Sequence, residues 1–167
     1  MFLLKELQSE KIRTFVGDVR DKERLKRAVE GVDIVFHAAA LKHVPLCEYN
    51  PFEAVKTNVI GTQNLIDIAL YEEVEKVILI STDKVVNPMN VVGATKLLAE
   101  RLTISANHYK GKRKIVFSCV RFGNVLDSRG SIVPIFKKQI EKGGLVTVTD
   151  PEMTRFVMSI PKAVELI

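Results

Sequence analysis

The chain has no tryptophan, only two cysteines and three histidines among its 167 residues, and no apolar run near the roughly eighteen residues of a membrane span. Each scarcity excludes a class. Cys47 and Cys119 fall in different expected elements and lack metal-type spacing, so they read as reduced structural thiols rather than a disulfide framework. His37, His43 and His108 match no common metal spacing, and no metal is expected. The opening Met1-Phe2-Leu3-Leu4-Lys5 lacks the order of a secretory signal, which leads us to expect a cytoplasmic protein.

A further absence lies in the glycines. None of the nine forms G-x-G-x-x-G, the turn that opens a dinucleotide-binding domain and seats a pyrophosphate on a helix amino terminus. The chain therefore reads as starting in the middle of a fold. What it does contain is ordinary for a single globular domain: 47% hydrophobic and 27% charged residues over positions 1–167. Its net charge of +5 is scattered rather than gathered into a stripe, so a phosphate-bearing small ligand is expected and nucleic acid is not.

Short β-branched runs alternate with helical patterns. Ile12 to Val16 reads as a strand, Asp21 to Glu30 as a polar helix with Leu25, Ala28 and Val29 inward, and Ile34 to Phe36 as a buried strand running into His37-Ala38-Ala39-Ala40. Pro51 suits a first helical turn, and Phe52, Val55, Val59, Thr62, Ile66 and Ala69 mark one stripe of a long helix. Val77 to Ile80 is a strand, Ala94 to Tyr109 a helix with Ala94, Leu98 and Leu102 on one face, and Ile115 to Val120 a strand. Ile132 to Lys142 reads as a helix stopped by Gly143-Gly144, Leu145 to Val148 as a short strand, and Pro161 to Ile167 as helical. This alternation predicts an α/β, Rossmann-like, doubly wound parallel sheet, truncated at both ends.

Ser81-Thr82-Asp83-Lys84 begins where the run Val77 to Ile80 stops, and ligands in such sheets sit outside the strands' carboxyl ends. With Lys96 on the following helix, two lysines and an aspartate are expected at one cleft edge. A surface ion pair of Asp83 and Lys84 is the plainer alternative for that dipeptide alone.

Gly17-Asp18-Val19-Arg20-Asp21, His37 to Pro45, Ser81 to Lys84, Gly93-Ala94-Thr95-Lys96, Arg121-Phe122-Gly123-Asn124-Val125-Leu126 and Thr149 to Phe156 occur in this order. Together they resemble the CapD-like polysaccharide biosynthesis proteins, the UDP-N-acetylglucosamine 4,6-dehydratases of the extended short-chain dehydrogenase/reductase superfamily. The resemblance runs from about Arg13 to the end and covers the middle of a family member.

It implies an NADP- or NAD-dependent lyase in surface polysaccharide biosynthesis, with a UDP-amino sugar as substrate and oxidation at C4, proton removal at C5 and loss of water from C6. By similarity Lys84 is the C5 base, Asp83 and Thr82 handle the C6 hydroxyl and O4, and Lys96 binds the nicotinamide ribose. Asp18, Val19, Ala38, Ala39, Ala40, Asn58, Ser81 and Phe122 are implied on the cofactor side. Lys42, His43, Asn124, Ser131, Thr147 and Arg155 are implied on the UDP side. Residue by residue, Asp18 also suits a turn or a helix cap, the alanines plain packing, and Asn58 a satisfied buried amide.

One position departs from the superfamily. Val92 stands four residues before Lys96, where a tyrosine usually exchanges the proton at O4. A UDP-sugar 4-epimerase would ordinarily keep that tyrosine and lack the Asp-Lys pair. A non-catalytic homologue that binds a nucleotide sugar or a partner chain is the reading from another class. A homo-oligomer, or association with a missing amino-terminal half, is the expected assembly.

Overall fold

The computed structural model describes residues 11–126, 132–148 and 150–167. In chain order come α1 (Lys22–Val29), β1 (Ile34–His37), α2 (Val44–Tyr49), α3 (Pro51–Ala54), a π-helical segment (Val55–Ile60) and α4 (Gly61–Tyr71). Then follow β2 (Lys76–Thr82), a 3-10 turn (Asp83–Val85), α5 (Val91–Tyr109), β3 (Val116–Phe122), β4 (Asn124–Val125), α6 (Ile132–Glu141), β5 (Val157–Met158) and α7 (Ile160–Glu165).

β1, β2 and β3 form a parallel sheet in that order, with His37 opposite Leu79 and Ser81 opposite Arg121. Parallel strands require crossovers, and the helices between these strands supply them. The expected α/β, Rossmann-like parallel fold is what the chain adopts. The main core lies where α1, α4 and α5 meet the sheet, with Leu65, Ile66, Val77, Ala106, Ile115 and Phe117 at its centre. A second, smaller parallel pair joins β4 to β5.

Helix ends follow local chemistry. The Asp21 carboxylate caps α1 by accepting from Arg24 N, and Asn90 caps α5 by accepting from Gly93 N. α6 ends at Glu141 ahead of Gly143, whose φ of 68° is the left-handed conformation that glycine tolerates best.

Five expectations need correction. Ile34 to Phe36 lies in β1 but is not buried: Ile34 and Phe36 are exposed on the face opposite His37. Ile12 to Val16 forms no strand: no described segment offers it a ladder, and Val16 is almost fully exposed. Leu145 to Val148 likewise finds no ladder partner among the described residues, and the backbone of Thr147 instead donates to the Gln139 side chain. The long-helix stripe breaks at the π-helical segment, whose wider turn shifts the phase: Phe52 is exposed beneath the Lys56 ammonium, while Ala54 and Asn58 are buried. On α5 the buried face is Val92, Lys96, Ala99, Thr103 and Ala106 rather than Ala94 and Leu98, because small and polar side chains let this helix approach β2 and β3 closely.

Candidate functional site

β2 runs two residues beyond the expected apolar stretch, so Ser81 and Thr82 belong to the strand and Asp83 and Lys84 to the turn that ends it. Strand alternation then separates neighbours. Ser81 points to the buried side with Val77 and Leu79, while Thr82 faces the half-open side.

On that half-open side the side chains converge. Thr82 Oγ1 donates to Asp83 Oδ1 at 2.9 Å and accepts from Lys84 N at 3.4 Å. Lys84 Nζ donates to Asp83 Oδ1 at 3.1 Å and to Asn124 Oδ1 at 3.3 Å. Burial alone would raise the Asp83 carboxyl, but the Thr82 and Lys84 hydrogen bonds outweigh it and hold the group below its usual range. Gly93 makes room for this turn: a Cβ there would stand 2.8 Å from Lys84 O and 3.1 Å from Pro88 Cα.

Lys96 is buried and spends a hydrogen bond of 2.6 Å on Ile80 O, one residue before the site. Burial pushes its ammonium below the ordinary range, with Cys119 and Glu100 pulling the other way. His37 is buried on β1, where burial first and the Lys96 charge second lower its pKa to about 4. Its Nε2 lies 3.0 Å from Thr62 Oγ1, which donates at 2.7 Å to Asn58 O. With that hydroxyl proton committed, the imidazole is the donor.

Asn58, at the middle of the π-helical segment, clamps the loop after β1. Its Oδ1 accepts from Leu41 N at 2.8 Å, and its Nδ2 donates to Leu41 O and to Thr95 Oγ1, each at 3.0 Å. Ala38 and Ala39 are thereby presented as exposed small residues, with Ala40 half-buried, at the carboxyl end of β1. A ledge of that kind admits close approach of a flat ligand.

The other expected positions are more scattered. Asp18 accepts from Arg20 N and from its guanidinium, whose Nη2 lies 2.6 Å away and which reaches on to Glu53. Val19 is half-buried against Gly61, and its carbonyl accepts from Asn64 Nδ2. Lys42 and His43 are exposed just before α2, and Phe122 is half-buried at the end of β3. Thr147 is engaged with Gln139, and the exposed Arg155 bonds to Thr154 O and the Met153 sulfur. Ser131 lies outside the described residues.

Sequence reasoning assigned no role to Glu100, Arg121 or Thr62. Arg121 Nη2 donates to Glu100 Oε2 at 2.7 Å in the strand and helix that flank Ser81. The spacing of Lys96 and Glu100, one helical turn apart, was the available signal. Val92 packs with Cys47 and Ala54 in a small apolar cluster. Among the described residues no group of His, Cys, Asp or Glu is placed to hold a metal, and no helix is long and apolar enough to cross a membrane.

Comparison with known proteins places this geometry in context. A family model described as "Polysaccharide biosynthesis protein" matches residues 2–167. A Methanocaldococcus jannaschii protein named as an uncharacterized membrane protein is 78% identical over 162 residues, 97% of this chain and 49% of that protein. The UDP-N-acetylglucosamine 4,6-dehydratase (inverting) of Campylobacter jejuni is 50% identical over 157 residues, 93% of this chain and 47% of the enzyme. A UDP-glucose 4-epimerase of Rickettsia conorii is 45% identical over 161 residues, 96% of this chain and 47% of the enzyme. Among solved structures, Pen from Bacillus thuringiensis superposes with a TM-score of 0.95 at 48% identity, over 99% of this chain and 53% of that one. The dTDP-glucose 4,6-dehydratase DesIV of Streptomyces venezuelae, solved with NAD and TYD bound, shares the fold at a TM-score of 0.89 and 23% identity, over 97% of this chain and 55% of that one. The chain thus spans about half the length of the curated relatives it matches.

Proposed function

Because the chain belongs to the polysaccharide biosynthesis protein family, we propose that it forms the catalytic half-site of a cytoplasmic nucleotide-sugar 4,6-dehydratase that acts on a UDP-amino sugar with NAD or NADP. The observation that carries this reading is the convergence of Thr82, Asp83, Lys84 and Asn124 at the carboxyl end of β2 and β3.

The pair Asp83 and Lys84 holds the proton inventory the reaction needs. At rest the proton sits on Lys84 and the charge on Asp83, 3.1 Å away. The reaction draws on the minor form in which that proton has moved to Asp83, leaving a neutral amine and a carboxylic acid, a form that the hydrogen bonds to the carboxylate disfavour. The amine then takes the C5 proton while the acid gives its own to the departing C6 hydroxyl, and the ion pair is restored. Thr82, already hydrogen-bonded to Asp83, is placed for the sugar's O4. NAD or NADP, when bound, supplies the hydride acceptor and donor. Ala38 to Ala40, small residues at the end of β1, would offer the cofactor a ledge, and Lys96, anchored on Ile80 O, would offer a cation to its ribose.

The 45% identical relatives named UDP-glucose 4-epimerase support a second reading. One assay separates the two. The full-length protein is incubated with UDP-N-acetylglucosamine and either cofactor, and the product is weighed by mass spectrometry. Loss of one water supports the dehydratase. Epimerised sugar of unchanged mass would replace it with the epimerase, and no conversion at saturating cofactor would leave a non-catalytic homologue, in keeping with Val92 at the tyrosine position.

A further inference from the structure

Lys84 carries its amine on a flexible four-carbon stem, and its side chain is 40% exposed, so the head group needs a fixed point outside its own backbone. Asp83 is not such a point. It is the preceding residue on the same 3-10 turn and travels with Lys84. Among the described residues Asn124 is the one hydrogen-bond partner of the Lys84 ammonium from another element, 40 residues away in the chain. An ammonium only donates, so the amide must turn its oxygen, not its nitrogen, to the lysine.

The corner that delivers this oxygen is anchored on three sides. β3 ends its ladder to β2 with Phe122 opposite Thr82. One residue earlier Arg121 Nη2 donates to Glu100 Oε2 at 2.7 Å, tying the strand to α5 through a buried carboxylate that the proton transfers proposed above do not use. Gly123 then lets β5 come close: a Cβ there would stand 2.6 Å from Phe156 O and 3.0 Å from Phe156 Cβ. Asn124 N donates to that same Phe156 O at 2.7 Å, and Leu126 N donates to Met158 O at 2.9 Å. β2, α5 and β5 thus hold the backbone from Arg121 to Asn124, and only the Asn124 side chain leaves it for Lys84.

We propose that Asn124 is a positioning residue for Lys84, its amide oxygen fixed at the end of β2 by the corner from Arg121 to Asn124. Family resemblance puts Asn124 on the UDP side, whereas here its oxygen serves the lysine. What Lys84 does once held rests on the dehydratase reading; the contact that holds it does not.

The test uses the full-length protein with 15N-labelled asparagine. The Asn124 side-chain amide resonance, assigned by its absence in Asn124→Leu, is expected to shift in Lys84→Met. In turnover of UDP-N-acetylglucosamine, Asn124→Leu, which keeps the size and removes the acceptor, is expected to lower kcat about tenfold, with KM and UDP affinity within about threefold. Asn124→Asp, which keeps an acceptor, is expected to restore most of the loss. Gly123→Ala, which crowds Phe156, is expected to lower kcat in the same direction and to speed amide exchange at Asn124 and Leu126; it serves if Asn124→Leu fails to fold. An unmoved Asn124 resonance, an unchanged kcat in either folded variant, or a loss confined to UDP affinity overturns the proposal. A wild-type protein without turnover would end the dehydratase reading, and the Asn124 resonance would still decide the contact.

Discussion

Lys84 and Asn124 meet at the carboxyl edge of the sheet, the lysine ammonium donating to the amide oxygen at 3.3 Å. They come from the ends of different strands, and the Asn124 backbone is in turn fixed by its bond of 2.7 Å to Phe156 O. The Lys84 head group is therefore held from two sides, by its neighbour Asp83 and by a residue far along the chain.

Replacing Lys84 with Met should cost about 10²- to 10⁴-fold in turnover of the full-length protein, the usual contribution of a placed general base. Nucleotide-sugar affinity, measured by calorimetry, should stay within a few-fold. Asn124→Ala should lower turnover less, because Asp83 still holds one side of the ammonium.

Gly93→Ala reverses the ordinary helix rule. Alanine in a helix is normally favoured by up to about 1 kcal/mol. At this position the new methyl would meet Lys84 O at 2.8 Å, so we expect destabilisation of about 1–3 kcal/mol in urea unfolding. Turnover should fall further than stability does, since the displaced backbone is that of Lys84.

Asn58→Ala strips partners from both the N–H and the C=O of Leu41 and from the Thr95 hydroxyl. A loss of about 1–2 kcal/mol is expected, because water can replace the amide at the exposed Leu41 and the Thr95 hydroxyl keeps its bond to Val91 O. Hydrogen exchange at Leu41 should accelerate with it.

His37 makes the protein acid-sensitive. The folded imidazole stays neutral down to about 4, whereas the unfolded chain takes up a proton near 6.5. Below 6.5 the unfolded state binds more protons, so stability is complete above that value and declines as the pH falls towards 4. The contribution at stake is about 3 kcal/mol. His37→Gln, which keeps an N–H donor for Thr62, should be less stable at pH 7.5 yet lose markedly less between pH 7.5 and 4.5 in urea titrations.

Several features were legible in the residues alone. The β-branched runs at Val77 and Val116 and the intervening helix pointed to the parallel sheet, because parallel neighbours need a crossover, although only one face of β2 is fully buried. Ser81 to Lys84 were placed at a strand end by the simple fact that the apolar run stops there. Ile12 to Val16 and Leu145 to Val148 had strand composition too, but a strand exists only through a neighbour, and a run of side chains does not carry its partner's identity.

What only the tertiary structure decided was which face each residue takes and what it meets. The π-helical segment changed the phase of the long helix and turned Asn58 inward, an insertion that periodicity cannot show because it breaks the period. The pairing of Glu100 with Arg121 and of Lys84 with Asn124 spans twenty-one and forty residues. Composition and local spacing determined the elements and the end of the sheet where the chemistry sits. Long-range register, set by the ladder and by how closely α5 approaches it, determined which charges share that end.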